Sequence, residues 1–407
     1  MSDAGDHDRK ISVHSVVIVG ASLAGYSAAK ALRRLGFDGT ITLVGDEPHR
    51  PYQRPPLSKQ FLSGAWDRAR IELRIADNLR LDWLLGVRAQ SLDVPRREIH
   101  LGGNRRVHFD GLVIATGARA RKPRWYAAMD GVFTLRTVDD ALALRSRLAS
   151  GARKAVIVGA GFIGSETAAT LRGLGCDVTL IDVDPLPMVR VLGQTLGGVC
   201  LRLHESHGVR TIFGVAVEGL VGSTAVEGVR LADGRVVEAD CVIVGVGVVP
   251  NVEWLQGSGL VLDDGVVCDA ACAAKGAEGV VAAGDVARFE HPRYGWQRIE
   301  HWNNAIAQSE ASAQTLLATA ETAPAYAAIP FFWSDQYDCK LQLIGAPSPG
   351  DAIRVVEGAL GERRFVAVFE RDGRATGAFL FNSTHRVAAY TRTVEAAVSL
   401  APQGAVA

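Results

Sequence analysis

The sequence has no cysteine in its first 175 residues, and only six follow: Cys176, Cys200, Cys241, Cys268, Cys272 and Cys339. The closest pair, Cys268 and Cys272, lacks the CxxC spacing of a redox or zinc motif. Four thiolates with cluster spacing are also missing, so we predict neither an iron–sulfur cluster nor a metal site. We interpret the six thiols as small buried hydrophobic groups in a reducing compartment.

An excess of charge of one sign is also missing. The chain of 407 residues has 44 Lys and Arg against 44 Asp and Glu, and only seven of its basic residues are lysine. This balance argues against a nucleic-acid-binding protein with a broad basic field. The longest apolar runs, such as Val242–Val249, fall far short of the ~20 residues of a membrane span. With no apolar targeting core near the N-terminus, we expect a cytoplasmic protein without a membrane partner.

Glycine is abundant, with 44 residues, and two Gly-rich segments repeat one pattern. An apolar strand leads into the loop Gly20–Gly25 in one copy and into Gly159–Gly164 in the other. Each loop opens an amphipathic helix that ends 16 residues after the first glycine, at Gly36 or Gly175, where glycine fits a left-handed cap. A second β-branched strand follows and ends in an acidic residue. This order is the βαβ dinucleotide fingerprint, so the sequence predicts two nucleotide sites.

The two loops differ at their centre. In the fingerprint, the first glycine makes a tight turn and the last lets helix and strand pack closely, while pyrophosphate binds the N–H groups of the helix N-terminus. The middle residue sets how closely phosphate approaches, and it is Gly161 in the second copy but Ser22 in the first. Serine is small and can donate a hydrogen bond, so the first copy departs from the fingerprint at one position.

The acidic residues at the strand ends are Asp46 and Glu47 in the first copy and Asp182 in the second. Asp182 would accept a hydrogen bond from the 2′-OH of NAD and repel the 2′-phosphate of NADP. No arginine follows it directly, so we expect NADH to be preferred over NADPH. Arg190 either contacts the adenosine end of the nucleotide or is a solvated loop residue, and the sequence leaves both open.

The C-terminal part of the chain predicts a separate small α+β domain. Apolar strands are expected at Leu341–Ile344, Phe365–Phe369 and Ala378–Phe381, with an Asp372-Gly373 hairpin signal between the last two. A helix is expected near Val387–Val398, and another, rich in alanine, at Asn303–Leu317.

A long motif then points to a known family. The segment Pro51-Tyr-Gln-Arg-Pro-Pro-Leu-Ser-Lys59 is similar to the PYxRPPLSK signature of oxygenase-coupled NADH:ferredoxin reductases, which mitochondrial apoptosis-inducing flavoproteins share. The resemblance covers nearly the whole chain after residue 15. It continues through Ala115-Thr-Gly117, Gly247-Val-Val-Pro-Asn251, Ala283-Gly-Asp285, Arg298-Ile-Glu-His-Trp302 and Phe332-Trp-Ser-Asp-Gln-Tyr337.

The resemblance implies a glutathione-reductase-like α/β fold. Two Rossmann-like domains would bind FAD and NAD, and a small C-terminal α+β interface domain would follow them. We expect residues 1–118 and 248–325 to form the FAD domain, residues 119–247 the NAD domain, and residues 326–407 the interface domain.

The resemblance also assigns binding residues, with FAD at the first copy and NADH at the second. Arg54 and Arg121 would pair with the FAD pyrophosphate, Asp285 would bind ribityl hydroxyls, and Trp302 and Trp333 would lie near the isoalloxazine. The full expected FAD set is Gly20, Ser22, Leu23, Ala24, Gly25, Asp46, Glu47, Arg54, Lys59, Val87, Ala115, Thr116, Gly117, Arg121, Asp285, Trp302 and Trp333. The expected NAD set is Gly159, Gly161, Phe162, Ile163, Gly164, Glu166, Asp182, Arg190, Gly247 and Glu300.

Lys59 and Glu166 are the predicted catalytic residues. In the resembling family this pair meets at the flavin N5 edge, near the nicotinamide, and orients both rings. Hydride transfer needs a close, water-poor approach rather than a general acid. The alternative is that Glu166 is an ordinary acid in the first turn of its helix, favoured there by the helix dipole.

The implied activity is that of a ferredoxin reductase. FAD would accept a hydride from NADH and pass electrons one at a time to a separate iron–sulfur ferredoxin of the [2Fe–2S] type, which would supply a cytochrome P450 or a Rieske oxygenase. Thiol-based enzymes of this fold need a cysteine early in the FAD domain, and this chain has none there. A rubredoxin reductase, and an NADH-responsive flavoprotein of the apoptosis-inducing type, stay open as alternatives. Either a monomer or a homodimer is compatible with the sequence.

Overall fold

The computed structural model describes residues 13–318 and 323–399, and this part of the chain forms two compact units. The first unit takes in the chain up to Tyr52, together with Glu72–Ala118 and Pro250–Ala328. The second takes in Gln53–Ile71, Arg119–Val249 and the chain from Ile329 onward. Each unit is therefore assembled from segments that lie far apart in the sequence.

A five-stranded parallel sheet forms the centre of the first unit. Its strands, in spatial order, are Val280–Ala282, Gly111–Ile114, Ser15–Val19, Thr40–Gly45 and Leu81–Leu85. Alternate residues of one strand enter two different cores, since Val17 and Val19 pack on one face while Val16 and Ile18 pack on the other. Burial on both faces explains why these strands are continuously apolar. The helices Leu23–Arg34 and Trp302–Leu317 pack against each other in this unit.

Two smaller sheets complete the first unit. One is antiparallel, with strands Ala89–Asp93, Glu98–Leu101 and Arg105–His108. The other pairs Val266–Cys268 parallel to Ala287–His291, which pairs antiparallel to Gly295–Gln297. Single turns of 3₁₀ helix lie at Asp77–Leu79, Glu253–Leu255 and Gly284–Val286.

The second unit has a parallel sheet of the same kind. Its strands, in spatial order, are Arg210–Phe213, Asp177–Asp182, Lys154–Val158, Cys241–Val244 and Val132–Phe133. Its helices are Arg68–Ile71, Val138–Ala149, Phe162–Gly173 and Val189–Ser206, the last broken at Gly193, and Pro55–Ser58 forms a 3₁₀ turn. An antiparallel sheet of Val217–Gly222, Val226–Leu231 and Val236–Glu238 packs beside it.

The C-terminal part of the second unit is a five-stranded antiparallel sheet. Its strands, in spatial order, are Phe331–Gln336, Cys339–Gly345, Arg374–Phe381, Phe365–Arg371 and Ala352–Gly358. One face packs on the helix Val189–Ser206, and the other packs on the final helix Val387–Ser399, which follows a 3₁₀ turn at Thr384–Arg386. Alternation along Phe365–Phe369 places three residues on the first face and two on the second.

The predicted fold class is confirmed: two Rossmann-like parallel sheets and a small C-terminal antiparallel sheet with one helix. The short strands Ala118–Ala120 and Val248–Pro250 lie where the chain passes from one unit to the other. Within residues 13–318 and 323–399, no helix is both long and apolar enough to cross a membrane.

Candidate nucleotide-binding and catalytic sites

The loop at Gly20–Gly25 leaves no room for side chains at its two end positions. Gly20 has φ +117°, and a Cβ there would lie 2.0 Å from the carbonyl oxygen of Ala115. A Cβ on Gly25 would lie 1.9 Å from the carbonyl oxygen of Gly20. The tight turn and the close approach of helix and strand therefore both require glycine.

The second loop repeats this geometry and adds an open position. A Cβ on Gly159 would lie 2.2 Å from the Gly245 carbonyl oxygen, and one on Gly164 would lie 1.8 Å from the Gly159 carbonyl oxygen. A Cβ on Gly161 would meet no atom of the chain within 4 Å. The fold itself does not require glycine at position 161, so the space in front of it is available to a ligand.

The N-termini of the two helices that follow these loops suit an anion. Their capping residues, Ser22 and Gly161, have extended backbones, and neither helix has a side-chain capping hydrogen bond. By contrast, Thr137 and Asp140 form a reciprocal capping box at the helix Val138–Ala149. Uncapped first-turn N–H groups with the positive end of a helix dipole are the donors that a pyrophosphate uses. The two loops thus fit the phosphates of dinucleotides.

The strand-end turn at Ala115–Gly117 is tied to a second turn of the same unit. The Thr116 hydroxyl donates to the carbonyl oxygen of Asn251 at 2.8 Å, and the Asn251 amide donates back to the Thr116 carbonyl oxygen at 2.9 Å. The Asn251 backbone N–H also donates to the Gly117 carbonyl oxygen. These bonds hold the Ala-Thr-Gly turn beside the Gly20 loop, whose first residue packs on Ala115.

The predicted FAD residues fall into both units. The first unit contains Gly20, Ser22, Leu23, Ala24, Gly25, Asp46, Glu47, Val87, Ala115, Thr116, Gly117, Asp285 and Trp302, and also Glu300 of the NAD set. The second contains Arg54, Lys59, Arg121 and Trp333, together with the rest of the NAD set. In the first unit Glu47 accepts a hydrogen bond from the Tyr52 hydroxyl at 2.5 Å, and Asp285 lies in the turn Gly284–Val286.

Two backbone N–H groups hold the carboxylate of Asp182 in place. One carboxylate oxygen accepts the backbone N–H of Ala160 at 2.5 Å, and the other accepts the N–H of Asp184 at 2.9 Å. Arg190 pairs with Asp184 at 2.7 Å, and its side chain is 75% exposed. The structure thus places Arg190 in a solvated ion pair beside the acidic strand end.

Two predicted arginines of the second unit bind backbone carbonyl oxygens. Arg54 donates to the carbonyl oxygen of Arg136 at 2.8 Å, and the Arg121 guanidinium donates to that of Val248 at 3.1 Å. The Arg121 backbone N–H also donates to the carbonyl oxygen of Gly247, which has φ +96°. Each guanidinium group therefore has at least one backbone partner within the second unit.

Lys59 and Glu166 form a buried ion pair inside the second unit. The Lys59 Nζ lies 2.8 Å from Oε1 of Glu166, and the two side chains are only 9% and 4% exposed. Glu166 lies one residue beyond the first turn of its helix, so the predicted first-turn position is wrong. The helix begins at Phe162 because Gly161, with its extended backbone, is the N-cap. A charged pair at this depth needs further partners to offset its desolvation.

Two serines supply those partners, and the sequence alone does not mark either of them as a partner of Glu166. The Ser58 hydroxyl donates to Oε2 of Glu166 at 2.5 Å, and the Ser334 hydroxyl donates to Oε1 at 2.9 Å. Both belong to the motifs that carried the family resemblance, Pro-Pro-Leu-Ser-Lys and Trp-Ser-Asp-Gln. The motifs therefore contain both serines. Their contact with Glu166 is not visible in the motifs, because it joins positions more than 100 residues apart.

All six cysteines are free and buried, as predicted. Burial raises the pKa of Cys200, Cys241 and Cys272 to about 12, which disfavours the reactive thiolate. Burial also lowers the pKa of His301, which precedes Trp302, to about 4. These groups are therefore neutral at physiological pH.

Comparison with known proteins identifies the family. The family model for pyridine nucleotide-disulphide oxidoreductases matches residues 14–309, and the model for the reductase C-terminal domain matches residues 331–406. The chain belongs to the pyridine nucleotide-disulphide oxidoreductase family. The family resemblance predicted from the sequence is thereby confirmed.

Relatives of this oxidoreductase match along most of their length. Rhodocoxin reductase of Rhodococcus erythropolis is 39% identical, over 85% of this chain and 81% of its own. The ferredoxin–NAD(+) reductase component of the anthranilate 1,2-dioxygenase system of Burkholderia cepacia is 36% identical, over 97% of each chain. The crystal structure of the covalent putidaredoxin reductase–putidaredoxin complex has a TM-score of 0.88 and 32% identity, over 95% of this chain and 93% of that chain.

Oxidoreductases of this family use FAD and NADH. The loops described above fit both cofactors, since each combines an uncapped helix N-terminus with glycines at the turn and at the helix–strand contact. Only the second loop has the open central glycine, Gly161. The acidic residues Glu47 and Asp182 lie near the ends of the second strands, where a ribose is bound in this fold.

Proposed function

We propose that this chain is an NADH-dependent, FAD-containing ferredoxin reductase. The buried Lys59–Glu166 pair carries the proposal, because Glu166 lies on the helix that the second nucleotide loop opens and Lys59 lies in the motif that carries the family resemblance. Relatives that match nearly the whole chain are named as ferredoxin reductases of oxygenase systems, which supports the assignment. Bound FAD supplies the chemistry that converts a two-electron donor into two one-electron transfers.

The first loop and its neighbours would hold FAD. The N–H groups after Ser22 would bind the pyrophosphate, Glu47 the adenosine ribose and Asp285 the ribityl chain, with Thr116 fixing the adjoining turn. The Arg54 and Arg121 guanidinium groups would add charge-assisted bonds to the pyrophosphate. We assign these roles to residues 1–118 and 248–325 and to Arg121, which lies outside these ranges.

The second loop would hold NADH. The N–H groups after Gly161 would bind its pyrophosphate, and Asp182 would accept a hydroxyl hydrogen of the adenosine ribose. Asp182, with Asp184 beside it, would repel a 2′-phosphate, so NADH is the preferred donor. Arg190 is tied to Asp184 and partly offsets that second negative charge.

Lys59 and Glu166 supply two opposite charges at fixed positions, a local dipole, and exclude water. Each charge is neutralised by the other at 2.8 Å, and both side chains are nearly inaccessible to solvent. A pre-oriented charge in a site of low dielectric acts strongly on nearby groups and needs little reorganisation during a reaction. Hydride transfer from NADH requires no proton donor. The role of the pair is therefore to orient the reacting rings and to stabilise charge near them.

The acceptor is a separate protein, because the sequence offers no cysteine spacing for an iron–sulfur cluster. We propose a ferredoxin of the [2Fe–2S] type that serves a cytochrome P450 or a Rieske oxygenase. Six free thiols agree with a reducing, cytoplasmic location. We further propose that the protein acts as a monomer or a homodimer.

The test uses the FAD-loaded full chain. Under argon, NADH should bleach the yellow protein, and NADPH should do so more slowly. Cytochrome c reduction is then compared with added [2Fe–2S] ferredoxins and with added rubredoxin, at several salt concentrations. Rapid turnover with a ferredoxin supports the proposal, whereas turnover with rubredoxin alone identifies a rubredoxin reductase.

Two other outcomes contradict the proposal. Bleaching by NADH without turnover on any acceptor would favour an NADH-responsive signalling flavoprotein. Purified protein that binds NAD but no flavin would exclude every flavoenzyme assignment.

A further inference from the structure

The Glu166 carboxylate receives hydrogen bonds on both of its oxygens. Ser58 donates to Oε2 at 2.5 Å, while Lys59 and Ser334 donate to Oε1 at 2.8 and 2.9 Å. The four residues range from 0% to 9% exposed. The terminal torsion of a glutamate is soft and roughly two-fold, so Lys59 alone would leave the carboxylate plane free to rotate. Donors on both oxygens fix that plane.

A second bond sets the direction of the Ser334 hydroxyl. A serine hydroxyl has a single proton, and in Ser334 it is donated to Glu166. The Ser334 oxygen in turn accepts the side-chain amide of Gln336 at 3.1 Å. Both residues are fully buried and lie two apart on the strand Phe331–Gln336, so they share one face of it. Gln336 thus orients the hydroxyl that orients Glu166.

Ser58 is fixed to the same helix at two points. Its hydroxyl bonds Glu166, and its carbonyl oxygen accepts the hydroxyl of Thr170 at 2.7 Å. Residues 166 and 170 are one helical turn apart and therefore lie on the same face. These two hydrogen bonds therefore attach the loop that contains Lys59 to the helix that contains Glu166, independently of the ion pair.

We propose that Ser58, Ser334 and Gln336 are positioning residues for the Lys59–Glu166 pair. The inference rests on the proposed function, in which that pair orients the reacting groups. Satisfying buried polar atoms would explain the same bonds without any effect on the reaction. The two explanations differ in one respect: positioning residues change the rate of NADH oxidation more than matched buried serines do.

The first experiment compares Ser334→Ala and Ser58→Ala with Ser383→Ala in the FAD-loaded full chain. Ser383 is a suitable control because it is 2% exposed, lies in the same C-terminal part of the chain and bonds only backbone carbonyl oxygens. Anaerobic stopped-flow bleaching by NADH gives the limiting rate, and calorimetry gives the dissociation constant of NAD⁺. We expect the limiting rate of the two test variants to fall about tenfold, because small misplacements are costly in rate.

The binding measurement separates positioning from general loosening. We expect the NAD⁺ dissociation constant of both test variants to stay within about threefold of the wild-type value. The lost hydrogen bond positions the Lys59–Glu166 pair for the reaction and does not contact the nucleotide. Ser383→Ala should match the wild type in rate and in binding. Ser334→Cys keeps the side-chain size with a much weaker donor, and we expect it to resemble Ser334→Ala.

A second experiment observes the ion pair directly and does not depend on activity. The chain has only seven lysines, so lysine-selective ¹⁵N labelling gives at most a few side-chain ammonium signals. Exposed ammonium groups exchange rapidly with water, whereas buried, paired Lys59 should give a protected signal, assigned by its loss in Lys59→Met. We expect this signal to shift or broaden in Ser334→Ala and Ser58→Ala and to stay unchanged in Ser383→Ala.

The results separate the two proposals. If wild-type protein is not bleached by NADH, the proposed function fails while the ammonium signal still tests the geometry of the pair. If wild-type protein is bleached but both test variants match Ser383→Ala in rate, the positioning role is refuted. An unchanged Lys59 signal in both test variants also refutes it.

Discussion

Replacing Glu166 by Gln should destabilise the protein far more than replacing an exposed glutamate in a similar pair. The substitution keeps the side-chain volume but leaves the Lys59 ammonium, 9% exposed, without a counter-charge. It also presents amide hydrogens to donors, because Ser58, Lys59 and Ser334 all donate to the carboxylate.

The expected magnitude follows from the depth of the pair. Removing one partner of a buried ion pair costs about 3–5 kcal/mol, most of it from the uncompensated charge that stays behind. Replacing Lys59 by Met in the same protein removes that charge while keeping most of the volume. We therefore expect Lys59→Met/Glu166→Gln to be more stable than Glu166→Gln alone by at least about 2 kcal/mol.

The assay is urea unfolding followed by far-UV circular dichroism, with FAD in fixed excess because bound ligand adds to stability. The control is Glu238→Gln, since Glu238 pairs with Lys154 at 2.6 Å but both side chains are more than half exposed. We expect no measurable change from the control. The reasoning is refuted if Glu166→Gln costs no more than the control, or if the double variant is less stable than the single one.

Three further predictions concern binding and pH. Gly161→Ala should fold normally, because its Cβ meets no atom within 4 Å, but should weaken NAD⁺ binding by about tenfold in calorimetry; Gly159→Ala, with its Cβ 2.2 Å from a carbonyl oxygen, should lower the melting temperature instead. Asp182→Ser should raise the ratio of kcat/KM for NADPH to that for NADH by at least about tenfold, because removing a like charge near the 2′-phosphate is worth a few kcal/mol. Burial lowers the pKa of His204 from 6.5 to about 4. Between these two pH values the histidine is protonated in the unfolded chain and neutral in the folded chain. Stability should then fall as the pH drops through that window, and His204→Asn should show a shallower fall in urea-unfolding scans.

The sequence predicts the two nucleotide-binding sheets well because their signals are local. The glycines at 20 and 159 require special backbone geometry, and each neighbouring strand is buried on both faces. The predicted strands of the C-terminal sheet also agree with the structure, and so does the hairpin at Asp372. In each case a short window of residues contains the whole signal.

Other features depend on contacts that a short window cannot show. The sequence predicts no strand at Ala352–Gly358, which is half exposed, and it marks the strand Phe331–Gln336 only through the motif at residues 332–337. The donors of Glu166 lie 107, 108 and 168 residues away in the chain. The four-segment domain division and the individual FAD and NAD contacts stay predictions. They depend on the shape and charge that the folded chain presents to a nucleotide, and the periodicity of a sequence does not show either.

The long reach of the Glu166 hydrogen bonds has a consequence for biosynthesis. Both parallel nucleotide-binding sheets are complete once the ribosome has made Ala282, yet Ser334 and Gln336 emerge later. A nascent chain can therefore display both glycine loops before its central carboxylate has all of its donors. The hydrogen bonds of the Lys59–Glu166 pair would therefore be completed only near the end of translation. A chain truncated before Ser334 would contain both glycine loops, but its Glu166 would lack one of its three donors.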